Sequence, residues 1–139
     1  MMVTTKGRYA LRLMIDLAEN QKDGCFIPLR DIAKRQELSE KYLETILPYL
    51  IRSNYLEGLR GKGGGYRLAR EPETYTIGSI LKLLEGSIAP VACLEGGKKP
   101  CTRAAECKTL PMWEKLYRII DEYFDGITLA DLCNGKIIN

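Results

Sequence analysis

A run of glycines in the middle of the chain most constrains the fold. Residues 60–65 read Arg-Gly-Lys-Gly-Gly-Gly, a composition that lets the backbone turn tightly and approach a partner closely. Short strand-like stretches, residues 55–59 and 66–69, flank the glycines. Two such stretches around a glycine-rich tip predict a β-hairpin.

Three helical patterns precede this hairpin. Apolar spacing predicts an amphipathic helix over residues 6–20, and a short helix over residues 29–36 follows a proline. Ser39 stands at the N-cap of a third helix. Its inward positions i, i+3, i+4, i+7 and i+8 are Leu43, Ile46, Leu47, Leu50 and Ile51. Pro48 lies inside this helix and predicts a kink or an early loosening, because proline lacks a donor and crowds the preceding turn.

Two more helices and a short closing turn follow the hairpin. Thr76 caps a helix that ends before Gly86, and Pro111 starts a longer helix. The longer helix carries a broad apolar stripe: Met112, Leu116, Ile119, Ile120, Tyr123 and Phe124. Thr128 caps the closing turn. Between the helices, residues 89–108 lose all periodicity, and an unpatterned stretch of that length in a compact domain is usually functional or disordered.

Composition narrows the class of protein. A chain of 139 residues with 45% hydrophobic content suits one compact core with one appendage. The net charge of +3 permits nucleic-acid binding without proving it. The chain has no histidine, which argues against Ser/His or Cys/His catalysis, so we do not expect an enzyme. No signal-peptide or membrane-span pattern occurs, and we expect a cytoplasmic protein.

A short helix, a tight turn and a longer helix form the unit whose second helix enters the DNA major groove. The first turn of that second helix offers Ser39, Lys41, Tyr42, Glu44 and Thr45. Lys41 can donate to guanine, Glu44 can accept from cytosine N4, and Thr45 can contact either base type. Because Glu44 also repels phosphates, we expect it to select sequence and not to strengthen binding.

The hairpin fits the same picture as a wing. Arg60 and Lys62 are carried on its tip, and we expect Arg60 to enter the minor groove. A generic hairpin or a nucleotide-phosphate loop is the alternative, but the GxxxxGK[ST] pattern is absent. The helix-turn-helix unit alone is not specific, because it also occurs in plain helical bundles. The hairpin directly after the unit is what favours DNA binding over that alternative.

Four motifs carry a family resemblance. They are Thr-Lys-Gly-Arg-Tyr-Ala at residues 5–10, Ser-Glu-Lys-Tyr-Leu-Glu at residues 39–44, Arg-Gly-Lys-Gly-Gly-Gly-Tyr at residues 60–66 and Ile-Thr-Leu-Ala-Asp-Leu at residues 127–132. Over nearly its whole length the chain resembles the bacterial winged-helix regulators that include the iron-sulfur assembly regulator IscR and the nitric-oxide sensor NsrR. The resemblance adds Lys6, Tyr9 and Gly64 to the expected DNA contacts.

The resemblance also implies an assembly. It implies a homodimer on a roughly palindromic double-stranded operator, with the helix after Pro111 as the main dimer element. The predicted fold is therefore mostly α with a small β-hairpin wing. Residues 1–86 form the winged helix-turn-helix domain, residues 87–108 a cysteine-containing sensor loop, and residues 109–139 the dimerisation helix and closing segment. Packing of this helix within its own chain is the alternative explanation of the apolar stripe, and it must account for part of the stripe in either case.

Three of the five cysteines lie in the unpatterned segment. Cys93, Cys101 and Cys107 are spaced C-x7-C-x5-C, without the close CxxC pair of structural zinc sites. Thiolates are soft ligands suited to iron-sulfur clusters. Nearby cations can lower their pKa values and offset the charge of a cluster. These cations are Lys98, Lys99, Arg103 and Lys108. Spare thiols are the alternative interpretation.

The resemblance implies that these three cysteines are cluster ligands, as in the IscR-type members, and favours a 2Fe-2S cluster. The best-known pattern has a histidine three residues after the last cysteine, where this chain has Leu110. The identity of the fourth ligand is therefore open. The candidates are Glu106, Glu95, a carboxylate elsewhere in the dimer, and an exogenous thiol or water. Weaker ligation predicts a labile cluster.

Two further positions bear on the sensor. Arg8 stands where some nitric-oxide-sensing relatives carry an acidic side chain, which argues against a close NsrR analogue. Cys25 and Cys133 lie outside the segment, and we expect ordinary semi-buried thiols there.

Three functional hypotheses follow. The main one is a transcriptional regulator whose operator binding depends on a cluster. The second keeps the DNA binding but makes the regulator cluster-free, controlled by thiol oxidation or by a partner protein. The third, a small electron carrier or cluster enzyme, lacks any recognisable catalytic pair in the sequence.

Overall fold

A computed structural model of the chain describes residues 3–96 and 101–136. The described residues form six α-helices and one two-stranded sheet. In chain order the elements are α1 (Thr5–Asn20), α2 (Leu29–Gln36), α3 (Glu40–Arg52), β1 (Leu56–Leu59), β2 (Gly65–Leu68), α4 (Ile77–Glu85), α5 (Leu110–Asp125) and α6 (Leu129–Cys133). Two single 3₁₀ turns lie at Pro72–Thr74 and Ala92–Leu94. The predicted mostly helical fold with a hairpin wing is confirmed.

The core lies where α1, α3 and α4 meet. The fully buried side chains of these helices include Leu13, Met14, Leu17, Leu43, Ile46, Leu50, Ile80 and Leu81. The predicted inward position of Ile51 is wrong, because 38% of this residue is exposed. Ile51 lies at the end of α3, where it lines an open groove with Leu59 of the hairpin instead of entering the core.

Helix α3 continues through Pro48 to Arg52, so it does not loosen early, and the kink given as the other outcome stays a prediction. Proline removes the bond that the Glu44 carbonyl would otherwise accept. Glu44 is exposed, and water can reach that turn of the helix. The buried side chains of Leu47 and Leu50, on either side of the proline, hold the helix against the core.

The hairpin is fastened to the chain that precedes α2. Strands β1 and β2 pair from Leu56 with Leu68 to Leu59 with Gly65. Tyr66 also exchanges two backbone hydrogen bonds with Ile27, each of 2.8 Å. At Gly65 the backbone φ is 147° and a Cβ atom would collide with the Ile27 carbonyl, so this approach requires glycine.

The closing segment is fastened to α4 in a similar way. The Ile77 amide donates to the Ile127 carbonyl at 2.8 Å, and the Leu129 amide donates to the Tyr75 carbonyl at 2.9 Å. Thr128 and Asp131 form a capping box at the start of α6, as the predicted cap at Thr128 requires. Within the described ranges, no helix combines the length and the apolar character that a membrane crossing needs.

Helices α4 and α5 are joined by an ion-pair group. Lys82 of α4 pairs with Asp121 and lies 3.5 Å from Asp125, both on α5. The hydrogen bond to Asp121 raises the pKa of the Lys82 ammonium, and the charge of Asp125 adds to the effect. This group connects α5 directly to α4, in addition to the apolar packing of Tyr117, Ile120 and Phe124 against the core.

Candidate DNA-binding surface and cysteine segment

The first turn of α3 is built by its cap. The Ser39 hydroxyl accepts a hydrogen bond from the Tyr42 amide at 3.2 Å, and Thr45 donates its hydroxyl to the Tyr42 carbonyl at 2.6 Å. Lys41 and Glu44 are exposed beside them. The start of α3 thus presents Lys41 and Glu44, the pair that the sequence predicts for base contacts, beside a second exposed carboxylate, Glu40.

The start of α1 lies against this turn. The hydroxyl oxygens of Thr5 and Tyr42 are 3.1 Å apart, and the rings of Tyr9 and Tyr42 meet edge to face at 5.5 Å. Lys6 places its ammonium 3.7 Å from the ring centroid of Tyr49 on α3. The hydrogen bond and charge of Lys6 also lower the pKa of the Tyr49 phenol. Lys6 and Tyr9 are therefore brought together with the predicted recognition helix.

A carboxylate from α4 caps the start of α1. Glu85 Oε1 accepts from the Gly7 amide at 2.9 Å, from the Thr4 amide at 3.2 Å and from the Thr4 hydroxyl at 2.7 Å. The Thr4 side chain makes no capping bond to its own helix. Glu85 thus satisfies donors that would otherwise be unpaired at a helix N-terminus. Sequence reasoning missed this contact, because only the fold brings Glu85 to Gly7.

A buried ion pair fixes α1 to α2. Asp16 is 1% exposed, and it receives two hydrogen bonds from the Arg35 guanidinium, at 3.0 and 2.7 Å, and one from Gln36 at 3.0 Å. The hydrogen bond to Asp16 raises the pKa of Arg35. This fork-shaped pair sets the position of the short helix that supports the recognition helix. Nothing in the sequence pattern indicates it, since Asp16 lies among apolar neighbours.

The wing tip presents two exposed cations, Arg60 and Lys62. Arg60 lines a groove together with Glu40 of α3, so the wing tip and the first turn of α3 lie on the same side of the molecule. Gly64 has a steric role: a Cβ atom there would collide with the Leu59 carbonyl and lie 2.8 Å from the Gly61 carbonyl. The wing tip and the start of α3 therefore border the same groove.

The cysteine segment brings two of the three predicted ligands together. Cys101 and Cys107 line one groove at the start of α5, which they share with Arg103, Glu106, Lys108 and Thr109. Cys93 is exposed in the Ala92–Leu94 turn. Residues 97–100, which include Lys98 and Lys99, lie outside the described residues. The predicted lowering of the cysteine pKa values by these two lysines therefore stays a prediction. Across residues 3–96 and 101–136, no three cysteine or carboxylate side chains are close enough to hold a metal ion.

Cys107 has a thiol whose pKa is lowered from its ordinary value. Its sulfur lies 3.3 Å from the Thr109 hydroxyl. Hydrogen bonds from the Thr109 hydroxyl and amide lower the pKa of the Cys107 thiol, and the charge of Arg103 contributes after them. The sequence predicts a lowering by cations, whereas hydrogen bonding is the larger cause. Leu110 begins α5 and is half-buried.

The two remaining cysteines differ from each other. Cys133 is half-buried, and burial raises the pKa of its thiol, with a further contribution from the charge of Glu19. Cys25 is exposed, so the predicted semi-burial of Cys25 is wrong. Cys25 lies in the turn between α1 and α2, outside the helical faces that form the core.

The apolar stripe of α5 divides into two faces. Tyr117, Ile120 and Phe124 pack against the core. The other face stays exposed, with Met112 at 54%, Leu116 at 37%, Ile119 at 53% and Tyr123 at 51%. Packing within the chain therefore explains only part of the stripe.

A helix-turn-helix unit followed by a cation-tipped hairpin defines a winged-helix DNA-binding protein. The Rrf2 family profile, described as iron-dependent transcriptional regulator, matches residues 3–135. The chain belongs to this family. The transcriptional regulator IscR of Yersinia pestis is 35% identical over 138 residues, which cover 99% of this chain and 82% of that protein.

Solved structures agree with this assignment. The global cysteine regulator CymR of B. subtilis is 36% identical, covers 97% of this chain and 98% of its own, and superposes with a TM-score of 0.78. IscR of T. potens is 36% identical, with coverages of 99% and 89% and a TM-score of 0.75. The chain is accordingly a DNA-binding transcriptional regulator and not an enzyme.

Proposed function

We propose that this regulator is a homodimer whose operator binding is controlled by an iron-sulfur cluster held by Cys93, Cys101 and Cys107. The observation that carries the proposal is the groove shared by Cys101 and Cys107 at the start of α5. It occurs in a chain similar to IscR over 99% of its length. A 2Fe-2S cluster and control of cluster-assembly genes are the specific form of this proposal.

The donor set suits such a cluster. Cysteine thiolates are its ordinary ligands, and the lowered pKa of Cys107 favours the thiolate. Arg103 and Lys108 line the same groove and can offset negative charge. Glu106 also lines it, which favours Glu106 over Glu95 as the fourth ligand. When bound, the cluster supplies a cross-link between the thiolates and a local negative charge.

The segment is connected to the DNA-reading helix through α1. Its near end follows Glu85, whose carboxylate caps α1 at Gly7. The same end of α1 contacts α3 through Thr5 and Tyr42. A change in the order of the segment can bias the position of Glu85, and through α1 the aim of the recognition helix. Coupling of this kind requires only that the two states of the segment favour different positions of these contacts.

The exposed face of α5 supports the homodimer. Contiguous exposed apolar side chains on a helix mark an interaction surface, and a second copy of the same helix offers a matching one. A two-fold pair of recognition helices would read a palindromic operator. A regulator that binds chromosomal DNA in this way acts in the cytoplasm.

The proposed DNA contacts fall into three groups. Residues of the recognition helix read bases: Ser39, Lys41, Tyr42, Glu44 and Thr45. The start of α1 and the wing reach the backbone and the minor groove: Lys6, Tyr9, Arg60, Lys62 and Gly64. Ser39 and Gly64 also have structural roles as a helix cap and a close approach, so their replacement tests folding as well as binding.

Anaerobic purification followed by side-by-side footprinting tests the proposal. Genomic DNA selection supplies the operator, and iron and sulfide are measured in the same sample. We expect a brown protein whose footprint changes when the cluster is removed. Cys93→Ala should lose the cluster, while the matched Cys25→Ala should keep it. A colourless, iron-free protein after anaerobic reconstitution, with an unchanged Cys93→Ala footprint, would refute cluster control.

A second candidate is a cluster-free repressor of the same family, controlled by thiol oxidation or by a partner protein. It is favoured because, among the described residues, no three cysteine or carboxylate side chains are close enough to hold a metal ion. The exposed thiols of Cys25, Cys93 and Cys101 also favour it. Thiol titration before and after mild oxidation, with DNA affinity measured on both samples, distinguishes it from cluster control.

A further inference from the structure

We propose that Arg30, in the first turn of α2, binds a phosphate of the DNA backbone together with Lys62 of the wing. This inference rests on the DNA-binding function and adds a contact that the recognition helix and wing tip do not include. The chemistry recognised is the phosphodiester of double-stranded DNA, which is independent of base sequence.

Two neighbouring grooves share Arg30. One lies between the wing and α3 and is lined by Arg30, Arg60 and Glu40 among others. The other lies between the wing tip and the chain before α2, and is lined by Phe26, Pro28, Arg30, Lys62, Gly61, Gly63 and Gly64. The described residues lining this second groove include two cations and no carboxylate, so it is the better site for an anion.

Three glycines form part of the second groove, beside Phe26 and Pro28. Gly61 and Gly63 have positive φ values of 88° and 76°, and a Cβ atom at either would meet nothing within 4 Å. This part of the groove wall is bare backbone, which lets a phosphate approach closely. A long side chain from α2 and another from the wing flank this opening.

Backbone hydrogen bonds connect the two segments that carry the cations. The paired hydrogen bonds between Ile27 and Tyr66 tie the wing to the chain three residues before Arg30. The close approach of Gly65 to the Ile27 carbonyl leaves no room for the wing to slide. The backbone segments that carry Arg30 and Lys62 are therefore joined directly, which places both exposed side chains on the same side of the molecule.

The side chain of Arg30 is available to bind a phosphate, whereas the side chain of Arg67 is not. Arg67 is bound to Glu57 at 2.8 Å and to the Gly24 carbonyl at 2.7 Å. The side chain of Arg30 is 79% exposed, and its ion pair with Asp31 spans 3.9 Å. Exposed pairs of this length contribute little, so a phosphate can replace Asp31 at low cost.

The position of Arg30 agrees with the general docking geometry of helix-turn-helix units. The first helix of the unit crosses the DNA backbone while the second enters the groove. Here α2 is that first helix, and its first turn lies beside the wing tip. Arg30 thus extends the basic surface from the wing across to the backbone at the edge of the recognition helix.

Salt-dependent binding to a random-sequence duplex of about 30 base pairs tests the proposal, because a phosphate contact needs no operator. The slope of log affinity against log salt becomes shallower by about 0.9 for each phosphate that the protein no longer neutralises. Because Lys62 stays beside the same phosphate, we expect Arg30→Ala to reduce the slope by at most about 0.9 per bound protomer, and Arg30→Lys to keep most of it. The selected operator should lose affinity by the same factor as the random duplex.

Lys34→Ala is the matched control, since it removes one exposed positive charge from the same helix, one turn further on, outside both grooves. An unchanged slope in Arg30→Ala, or an equal reduction in Lys34→Ala, would overturn the proposal while leaving DNA binding intact. A wild-type protein that binds no duplex at low salt would instead refute the DNA-binding function itself, and the contact with it.

Discussion

The carboxylate of Glu85 accepts a hydrogen bond from the backbone amide of Gly7 at 2.9 Å, across 78 positions of the chain. The last residue of α4 therefore serves as the cap of α1. Residue 86 and the cysteine segment follow Glu85 directly, and the recognition helix contacts the same turn of α1. One side chain thus borders both the proposed sensor and the DNA-reading surface.

Replacing Glu85 should therefore affect stability and DNA binding together. Glu85→Ala leaves the Gly7 and Thr4 amides without their acceptor, and we expect a loss of about 1–2 kcal/mol in the free energy of unfolding. Urea denaturation measures it, with the exposed Glu73→Ala as the control. Equal midpoints for the two variants would contradict the capping role. DNA affinity measured well below the unfolding midpoint should also fall in Glu85→Ala only.

The Cys107 thiol should react at lower pH than an ordinary thiol, because hydrogen bonds from Thr109 stabilise its thiolate. A lowered pKa means that the reactive thiolate is already present below the usual titration range. Thr109→Val removes the main donor, raises the pKa of Cys107, and should move its alkylation profile to higher pH. Mass spectrometry of each alkylated cysteine across a range of pH measures this shift.

Cys133 supplies the internal control for that experiment. Burial raises the pKa of its thiol, so Cys133 should react at higher pH than Cys107. Its profile should be the same with and without Thr109→Val. If the Cys107 profile also stays in place, hydrogen bonding from Thr109 is not the cause of the lowered pKa.

A charge on the exposed face of α5 should break the proposed dimer. Ile119 is 53% exposed at the centre of that face, and in a two-fold interface Ile119→Glu buries two unpaired carboxylates. We expect the dissociation constant of the dimer to rise at least about tenfold, or 1.4 kcal/mol. Sedimentation equilibrium gives the value. Arg118→Glu changes charge on another side of α5 and should leave the dimer intact; weakening by both variants alike would argue against this interface.

Gly65→Ala should detach the wing from the chain before α2. A Cβ atom at Gly65 meets the Ile27 carbonyl, so the hydrogen bonds between Ile27 and Tyr66 must lengthen or break. The expected cost is about 1–3 kcal/mol, read from thermal or urea unfolding, together with weaker DNA binding. Gly63 also has a positive φ, but a Cβ atom there would meet nothing within 4 Å. Gly63→Ala should therefore lower the free energy of unfolding by only about 1 kcal/mol. Similar costs in both would show that backbone strain, and not the steric collision, is responsible.

A histidine at the start of α5 should stabilise the proposed cluster. Leu110 occupies the position of the histidine ligand in the IscR pattern, and Leu110→His adds a nitrogen donor beside the groove of Cys101 and Cys107. We expect the visible absorbance of the loaded protein to decay in air about tenfold more slowly. Leu110→Phe provides a ring without a donor. Equal decay of the two variants and wild type would show that the fourth ligand is already supplied elsewhere.

Local features of the fold could be predicted from the sequence. The caps at Ser39, Thr76 and Thr128 are all present, because a cap and its partner lie within three residues of each other. The hairpin could also be predicted from the sequence, because its glycines and its flanking strands are contiguous in the chain. Such interactions leave a signature in a short window of sequence.

Contacts that join distant segments could not be predicted in this way. The pairing of Ile27 with Tyr66 and the cap from Glu85 to Gly7 depend on how the helices pack, which no local pattern encodes. Ile51 differs from its predicted position for the same reason. Helical spacing places Ile51 on the side of α3 that faces the core, but the core does not extend as far as the last turn of this helix. The spacing of the cysteines, likewise, gives their order along the chain and not the distance of Cys93 from the other two thiols.

Two contacts of α4, one with α5 and one with the residues after α5, determine what the cysteine segment can change. Lys82 pairs with Asp121 and Asp125 of α5, and the Ile77 amide donates to the Ile127 carbonyl that follows α5, so residues 86–109 connect two helices that are already in contact without a bound ligand. The entropy of closing this loop is part of the folding of the domain. A ligand that joins its thiols restricts only the interior of a closed loop, and its departure leaves α5 in place. The proposed pairing face of α5 should therefore stay in place when a cluster is lost, so that the proposed control would act on DNA binding and not on the dimer.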